Sequence, residues 1–458
     1  MNIDKLYENQ LKFIQNHRMI SVEERLKYLR NLKEEIKNNE ENIYGALDLD
    51  LSKPKFETYT TEISFLISEI NLFLKKLKSW AKPKNVTPSL INFPSKDYII
   101  YEPYGKVLVI SPWNYPFQLA LLPAMSAFAA GNNVILKPSE HTPNTSRLIK
   151  KIVENVFPAE LVCVVEGDSK TATKLLEKKW DYIFFTGSVN IGEIVAISAA
   201  KNLTPYTLEL GGKSPAIIDK ETDLKVVCKR IVWGKFLNSG QTCVAPDYII
   251  AHKSIKDNLI KELINRIKQT FGENFDNTFD ITAIVNEKNF NRLLELIKEN
   301  TIIYGGKYDS KKRYIFPTII DNPEMNSNIM KEEIFGPILP VLSFKKLEEV
   351  DIIINKNPNP LALYVFSNNK KFTKTVVNRY SFGGGAINDT IIHLANPRLP
   401  FGGIGKSGIG SYHGKLSFEL FSHKKSIVSK PTWFDNNLRY APYKNKLSLV
   451  RKLMKFLG

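Results

Sequence analysis

Cys243 is the residue of this chain whose type and setting most favour covalent chemistry. It ends the segment Asn238-Ser-Gly-Gln-Thr-Cys243, a loop of small and polar residues that follows a predicted helix. A thiol in such a loop is accessible to a substrate, and its thiolate is a good nucleophile. The alternative, which is the commoner role of cysteine, is a small buried hydrophobic residue. Cys163 lies in an apolar strand pattern and Cys228 in a helix pattern, and we interpret both as core residues.

Two polar residues are predicted at the carboxyl ends of apolar strands. Glu209 ends one strand just before Gly211-Gly212. In a dry cleft its carboxyl would have a raised pKa and act as a base, whereas an ion-paired strand end is the alternative. Asn114 lies in Ser111-Pro-Trp-Asn-Tyr-Pro-Phe117, where its amide could donate a hydrogen bond to a developing oxyanion. A simple turn residue is the alternative for Asn114.

Two loops have features of a nucleotide site. Phe185-Thr-Gly-Ser-Val-Asn-Ile-Gly192 leads a strand into a helix through a glycine turn, and a helix N-terminus of this kind suits a pyrophosphate. Its closing glycine would serve packing equally well. Lys137-Pro-Ser-Glu140 follows another strand and could contact a ribose, or form only a capped loop. The GxGxxG string at 403–408 does not begin a βαβ unit, so we reject it as a dinucleotide fingerprint.

The elements that must position these residues alternate between strand and helix. Predicted strands and helices alternate from 106 to 210 and again from 215 to 388. This pattern indicates parallel sheets covered by helices, which bind ligands beyond the carboxyl ends of their strands. The uncharged run 107–136 is long enough to span a bilayer, but its prolines, glycine and asparagines favour a buried strand–helix–strand.

The regions outside this alternation are predicted to be helical or irregular. Residues 1–80 have helical spacing, with a capping box formed by Ser21 and Glu24, and residues 81–95 are predicted to be a connector. The tail 431–458 is basic and amphipathic. We interpret it as a terminal helix packed on its own protein, with a membrane-surface helix as the alternative.

Composition restricts the class of protein. With 458 residues, 43% hydrophobic and 24% charged, the chain is globular rather than disordered or disulfide-stapled. The net charge of +17 is spread along the chain, which favours a lysine-rich solvated surface over contact with nucleic acid, an anionic membrane or acidic substrates. Three cysteines without a CxxC, and an N-terminus unlike a secretory signal, predict a reducing, cytoplasmic location. The six histidines form no HExxH motif, so no metal site is predicted.

Taken together, the motifs resemble those of the aldehyde dehydrogenase superfamily. The strings that carry the resemblance follow one another in family order: PWNYPF (112–117), KPSE (137–140), FTGS (185–188), LELGGKSP (208–215), GQTC (240–243), EEIFGP (332–337) and PFGGIGKSG (400–408). The strings INDT (387–390), GIGSYHGKLSFELFSH (408–423) and LRYAPY (438–443) are similar to the class 3, fatty-aldehyde-type branch.

The resemblance implies an α/β fold of the aldehyde dehydrogenase type. A modified Rossmann cofactor domain, an α/β catalytic domain and a small β oligomerisation arm are expected. The segments implied are 1–81 and 101–209 for NAD(P) binding, 210–390 for catalysis, 82–100 and 418–430 for the arm, and 431–458 for the basic tail.

The resemblance also implies a role for each candidate residue. Cys243 would attack the aldehyde, Asn114 and the Cys243 backbone N–H would hold the oxyanion, and Glu209 would activate the water that hydrolyses a thioester. The cofactor-binding residues implied are Trp113, Lys137, Glu140, Gly187, Ser188, Glu333 and Phe335. A carboxylate at Glu140 favours NAD, because it would repel a 2′-phosphate, while NADP stays open.

The branch implies a homodimer that oxidises medium- or long-chain aliphatic or aromatic aldehydes to acids, without a nucleic-acid partner. Two alternatives stay open: an acylating enzyme that passes the thioester to coenzyme A, and an inactive surface-binding protein. A water-activating Glu209 argues against the first, and the filled catalytic positions argue against the second. The expected location is cytoplasmic, with a peripheral contact between the tail and a membrane surface as a further hypothesis.

Overall fold

The N-terminal part of the chain is helical, as its periodicity predicts. The computed structural model describes residues 3–16, 20–273 and 280–457, and predictions for the remaining residues lie outside the described part. Ser21 and Glu24 form the expected capping box. The elements of this part are α1 (Ile3–Asn16), α2 (Val22–Asn38), α3 (Glu40–Leu51), α4 (Lys55–Thr58), a π-helical turn (Tyr59–Ile63), α5 (Ser64–Trp80), β1 (Lys84–Val86) and β2 (Lys96–Pro103).

A first, largely parallel sheet follows, and it confirms the predicted strand–helix alternation. Its elements are β3 (Lys106–Ile110), α6 (Gln118–Ala130), β4 (Asn133–Lys137), α7 (Pro143–Val156), β5 (Val162–Val164), α8 (Ser169–Leu176), β6 (Tyr182–Thr186), α9 (Val189–Lys201) and β7 (Tyr206–Glu209). The strand order is β7-β6-β3-β4-β5, with a further strand beside β7. The uncharged run 107–136 is the buried unit β3–α6–β4, and Gly131 ends α6 with a left-handed backbone. Among the described residues, no helix is both long and apolar enough to cross a membrane.

A second mixed sheet is built from the next part of the chain, with the order β10-β13-β14-β9-β8-β15-β16. Its elements, with a small hairpin, are β8 (Pro215–Ile218), α10 (Leu224–Phe236), β9 (Tyr248–His252), α11 (Lys256–Phe271), α12 (Glu287–Lys298), β10 (Ile302–Tyr304), β11 (Tyr308–Asp309), β12 (Tyr314–Ile315), β13 (Thr318–Asp321), α13 (Asn328–Lys331), β14 (Ile338–Phe344), α14 (Leu347–Ile354), β15 (Ala362–Phe366), α15 (Lys370–Arg379) and β16 (Gly384–Ile387). The short strands β10 to β13 have no counterpart among the predicted elements.

The last elements of the chain include two strands that pair with strands described above. They are β17 (Gly408–Ile409), α16 (Lys415–Leu420), β18 (Ser422–Ser429) and α17 (Leu447–Leu457). β17 pairs antiparallel with β7, and β18 joins β2 and β1 in an antiparallel sheet. The prediction of a plain connector at 81–95 is therefore wrong in part, because this segment contains β1. The domain boundaries and the oligomerising role of the β1-β2-β18 sheet stay predictions.

The terminal helix α17 is more exposed than we expected from the sequence, which favoured a helix packed on its own protein. Its apolar residues Leu447, Leu449, Leu453 and Met454 are 42–60% exposed and Val450 is half-buried, so no apolar side chain described on this helix is fully buried against the chain. The expected packed terminal helix is wrong for this reason. The spacing of apolar residues does forecast a helix, but its packing depends on a surface that sequence periodicity does not reveal.

The strand register brings three separate segments to one edge of the first sheet. Ile110 of β3 lies opposite Phe185 of β6, and Thr186 lies opposite Glu209 of β7. Because these strands are parallel, the loops that follow them share the carboxyl edge. The fold therefore collects the Asn114 loop, the start of α9 and Glu209 at one place.

A buried carboxyl joins α5 to the loop before α16. Glu69 is 3% exposed, and its carboxylate accepts a hydrogen bond from the Gly414 N–H at 3.2 Å. Burial raises the pKa of Glu69 to about 7, and the bond from Gly414 offsets only part of this effect. Gly414 itself has φ +55°, and a Cβ there would lie 2.1 Å from the Pro397 carbonyl oxygen.

Glu69→Gln is expected to stabilise the protein at alkaline pH more than at acid pH. The folded-state pKa of about 7 exceeds the ordinary 4.5, so the native state binds the proton more tightly. The stability contributed by the proton is present below pH 4.5 and is lost as the pH rises through 7. The increase in the free energy of unfolding caused by Glu69→Gln at pH 8.5 is at most about 3 kcal/mol. Thermal unfolding at pH 5 and 8.5 measures this difference in stability, and Glu193→Gln, at an exposed position, is the control. Equal changes in melting temperature for Glu69→Gln at the two pH values would contradict the account.

Candidate active site

Cys243 reaches the cleft because the chain leaves α10 through an unusual turn. Asn238, Ser239 and Gly240 have φ values of 53°, 52° and 73°, which is a run of three left-handed residues. Such a backbone is costly for residues other than glycine and persists only where its surroundings enforce it. At Gly240 a Cβ would lie 2.4 Å from the Gly336 carbonyl oxygen, so this position requires glycine.

Hydrogen bonds from distant parts of the chain enforce this turn. The Asn238 N–H donates to Glu57 Oε2 at 3.1 Å, and Asn238 Nδ2 donates to the Asn114 carbonyl at 2.9 Å. Gln241 Nε2 donates to the carbonyls of Asn238 and Ala283 at 3.1 and 3.0 Å. The turn is thus clamped between the helix that carries Glu57, the Asn114 loop and the segment before α12.

Asn114 lies directly against the loop that carries Cys243. Its side chain is almost fully buried, and Nδ2 donates to the Gln241 carbonyl at 3.0 Å. The next residue makes a parallel contact, because the Tyr115 hydroxyl lies 2.6 Å from Thr242 Oγ1. An amide group has two N–H donors, so one remains for a ligand beside Cys243.

Glu209 is a dehydrated carboxyl at the end of β7. It is 3% exposed, and neither of its oxygens has a hydrogen-bond partner among the described residues. Burial raises the pKa of Glu209 well above its usual range. The pKa of the Cys243 thiol is also raised, by burial first and then by the nearby Glu333 and Glu209 carboxyls. Burial therefore makes the ionised form of each group less favourable than in water and makes each ionised form a stronger base.

Two cavities meet at these residues. One has a volume of about 550 Å³ and opens along the strand ends of the first sheet, and the other, of about 390 Å³, runs between the sheets. The residues that line both cavities are Leu119, Thr186, Glu209, Leu210 and Cys243. The Cys243 thiol and the Glu209 carboxyl thus lie where molecules bound in the two cavities would meet.

The larger cavity is lined by five of the seven residues predicted to bind the cofactor: Trp113, Gly187, Ser188, Glu333 and Phe335. Their role in binding stays a prediction. Ser188 is the N-cap of α9 but its side chain accepts no capping hydrogen bond, so first-turn N–H groups remain for an anion such as a pyrophosphate. The rings of Trp113 and Phe335 meet edge to face with centroids 5.3 Å apart.

Lys137 and Glu140 have a different setting from the other predicted cofactor residues. Lys137 ends β4, in register with Ile110 of β3, and its Nζ lies 2.6 Å from Glu140 Oε2. Neither residue lines the larger cavity. The described contact is an ion pair between the two side chains, with the Glu140 side chain 34% exposed at the same sheet edge.

The smaller cavity is apolar and has an exposed mouth. Phe56, Trp233 and Ile392 are 77%, 46% and 48% exposed and mark its opening. Deeper in, the walls are formed by Phe65, Tyr115, Leu119, Leu237, Ile391, Leu394, Phe401 and Tyr412. Such a lining suits an uncharged chain or ring that ends at Cys243.

A buried cluster of charges under the larger cavity was not found from the sequence. Lys213 Nζ lies 2.6 Å from Asp247 Oδ2 and also donates to the Ile329 carbonyl. Lys235 Nζ is 4.0 Å from Asp247 Oδ1, and burial lowers its pKa to about 8. Burial and Asp247 raise the pKa of Glu333 to about 8. The sequence signal that could have revealed it is Lys235, the one charged residue in the otherwise uncharged stretch 231–236 of α10.

The glycine-rich segment 403–408 packs against β7, and its residues Lys406 and Ser407 line the larger cavity. β17 pairs with β7, so that Gly408 lies opposite Glu209. A Cβ on Gly408 would lie 2.4 Å from the Leu208 carbonyl oxygen, and one on Gly403 would lie 2.1 Å from the Ser407 carbonyl oxygen. The glycines permit this close approach, which gives a physical reason for the rejected dinucleotide motif.

Comparison with known proteins agrees with this geometry. The model of the aldehyde dehydrogenase family matches residues 1–427. The 4,4'-diaponeurosporen-aldehyde dehydrogenase of Staphylococcus aureus is 46% identical over 99% of this chain and 100% of its own. The dimeric NADP-preferring aldehyde dehydrogenase of Rattus norvegicus is 43% identical over 93% of this chain and 95% of its own.

A solved structure has the same fold. The substrate-bound state of Staphylococcus aureus AldH superposes with a TM-score of 0.96 at 46% identity, covering 99% of this chain and 100% of that one. The chain therefore belongs to the aldehyde dehydrogenase family and is an enzyme that oxidises aldehydes to carboxylic acids with NAD(P).

Proposed function

We propose that this enzyme oxidises medium- and long-chain aliphatic or aromatic aldehydes, with Cys243 as nucleophile, Asn114 as oxyanion donor and Glu209 as general base. The observation that carries the proposal is the meeting of an apolar cavity and a dinucleotide-sized cavity at Cys243 and Glu209. An aldehyde whose chain fills the apolar cavity has its carbonyl at the thiol. The hydride acceptor enters from the other side.

The first step forms a bond between Cys243 Sγ and the carbonyl carbon. The thiol proton must leave, and the dehydrated Glu209 carboxylate is a strong base for it because burial raises its pKa. The remaining N–H of the Asn114 amide and the Cys243 backbone N–H donate to the oxyanion of the thiohemiacetal. NAD(P), when bound, supplies the chemistry of hydride acceptance.

The second step releases the acid from the Cys243 thioester. Once the thiol proton has passed from Glu209 to solvent, the carboxylate removes a proton from a water molecule, whose oxygen attacks the acyl carbon. The C–S bond then breaks, and the Cys243 thiolate that leaves takes up the proton from Glu209. The same base argues against an acylating enzyme, because it would hydrolyse a thioester before coenzyme A could accept the acyl group. The buried, unpaired carboxyl likewise gives no support to an inactive surface-binding protein.

Activity is expected to rise with the length of the aldehyde and to vanish in Cys243→Ala. Each CH₂ buried in the apolar cavity contributes up to about 0.8 kcal/mol, or about fourfold in kcat/KM. Reduced-cofactor absorbance with straight-chain aldehydes from acetaldehyde to dodecanal, and with benzaldehyde, measures this. Cys163→Ala, at a buried cysteine in β5, is the control that keeps its activity. Equal kcat/KM along the series would refute the chain-length assignment, and turnover by Cys243→Ala would refute the nucleophile.

We propose that NAD is preferred over NADP. The support is the Glu140 carboxylate, whose pKa is kept low mainly by its hydrogen bond to Lys137 against the effect of burial, so that it is charged and repels a 2′-phosphate. The name of the rat relative, NADP-preferring, keeps NADP as the alternative.

Glu140→Gln is expected to shift the preference toward NADP. Loss of one like-charge contact should raise the NADP-to-NAD ratio of kcat/KM by about tenfold or more. Steady-state kinetics with each cofactor measure the ratio, and Glu154→Gln, an exposed acid on α7, serves as the control. A ratio unchanged in Glu140→Gln would mean that this carboxylate does not face the ribose.

We also propose a cytoplasmic homodimer in which the β1-β2-β18 sheet is the oligomerisation arm. The support is the exposed edge strand β1, whose three residues are all solvent-accessible in the single chain, together with the dimeric state named for the rat relative.

For the tail, the exposed apolar face of α17 beside Arg451, Lys452 and Lys455 supports a peripheral contact with an anionic membrane surface.

The tail contact is expected to make the protein pellet with anionic liposomes at low salt and to detach at high salt. Electrostatic attraction to the lipid headgroups is screened by salt, while burial of the apolar face adds to binding. The variant Leu449→Glu/Leu453→Glu should remain in the supernatant with unchanged activity toward water-soluble aldehydes. Wild-type protein that stays in the supernatant at low salt would contradict the proposal.

A further inference from the structure

A fully buried ion pair lies behind the catalytic loop. Lys53 Nζ is 2.6 Å from Glu62 Oε1, and neither side chain has any exposed surface. Removal of two charges from water is costly, so a buried pair is poor evidence for a stabilising role. Glu62 also lies in the π-helical turn between α4 and α5. Such turns are rare and often occur at functional sites.

One end of the pair holds the segment that carries Asn114. Glu62 Oε2 accepts hydrogen bonds from the N–H groups of Phe117 and Gln118, at 2.8 and 3.1 Å. These amides belong to the start of α6, directly after the Asn114 loop. A carboxylate at this position is favoured by the helix dipole and fixes where the loop joins the helix.

The other end of the pair leads to Cys243. Lys53 Nζ lies 4.0 Å from the centroid of the Tyr115 ring, a cation–π contact. The Tyr115 hydroxyl is 2.6 Å from Thr242 Oγ1, and both side chains are buried. Thr242 directly precedes the nucleophile. The ion pair therefore contacts the segment that carries Asn114 at both of its ends, and it reaches the loop that carries Cys243 through Tyr115.

We propose that Lys53 and Glu62 are positioning residues that fix the separation of the Asn114 amide and Cys243 Sγ through Tyr115 and Thr242. Neither residue lines either cavity, so neither touches substrate or cofactor. The inference rests on the proposed roles of Asn114 and Cys243. A misplacement of about 1 Å in such a pair can cost about 10²-fold in rate, which gives a buried ion pair at this place a function.

The test uses the neutral, nearly isosteric variant Lys53→Met/Glu62→Gln. Gln Oε1 still accepts from the Phe117 and Gln118 amides, and the loss of both charges together avoids an unpaired buried ion. The expected result is a folded protein whose kcat falls about 10²-fold with an unchanged KM for NAD. Cleavage of 4-nitrophenyl acetate, which needs Cys243 and the oxyanion donor but no cofactor, should fall by a similar factor.

Several outcomes would overturn the proposal. One is a folded double variant with wild-type kcat and wild-type ester cleavage, and another is a raised KM for NAD with normal ester cleavage, which would indicate an effect on the cofactor cavity. The matched control, Lys256→Met/Asp321→Asn, removes an ion pair of equal length at a surface remote from Cys243 and should keep both rates.

A second variant settles the question even if the double variant does not fold. Tyr115→Phe keeps the ring over Lys53 and removes only the bond to Thr242. We expect about a tenfold loss in kcat and in ester cleavage, as for one lost hydrogen bond in a dry site. Wild-type rates in Tyr115→Phe would overturn the proposal. If only the positioning role of Lys53 and Glu62 is wrong, Cys243→Ala is still inactive. If the proposed nucleophile is wrong, Cys243→Ala is active.

Discussion

The candidate active site depends on one constraint, the left-handed turn Asn238–Gly240. This turn follows α10 and leads the chain to Cys243. The turn is intrinsically unfavourable, and contacts from Glu57, Asn114 and Gln241 compensate for its cost. Glu57 and Asn114 are far from the turn in sequence, so the conformation of the loop that carries Cys243 depends on tertiary contacts with the helical layer and with the loop after β3.

Exclusion of water is the second property on which the chemistry depends. Glu209 has no hydrogen-bond partner among the described residues, and burial raises its pKa. The same dryness raises the pKa of Cys243 and of Glu333, so three acidic groups share a small space without all being ionised. In the proposed mechanism, the dehydration of Glu209 makes its carboxylate a stronger base for the proton of the attacking water.

Periodicity and glycine turns are sufficient to predict the alternation of strands and helices and the strand ends that carry Asn114 and Glu209. That Cys243 joins them in one site was implied by the family resemblance alone. The sequence does not reveal the buried charges. Lys53 lies between α3 and α4 and Glu62 lies in the π-helical turn, and charged residues of this kind are usually exposed. Their burial depends on tertiary packing. For the same reason, the exposure of α17 and the short strands β10 to β13 depend on tertiary neighbours that local patterns do not contain.

The central claim is that Cys243 holds an acyl group that Glu209 releases. Intact-protein mass spectrometry of Glu209→Gln after a single turnover with NAD and a long-chain aldehyde tests it most directly. The account predicts one equivalent of reduced cofactor and a stable adduct, in which the acyl group replaces the thiol hydrogen of Cys243. Continued multiple turnover by Glu209→Gln, with no adduct on the protein, would contradict it.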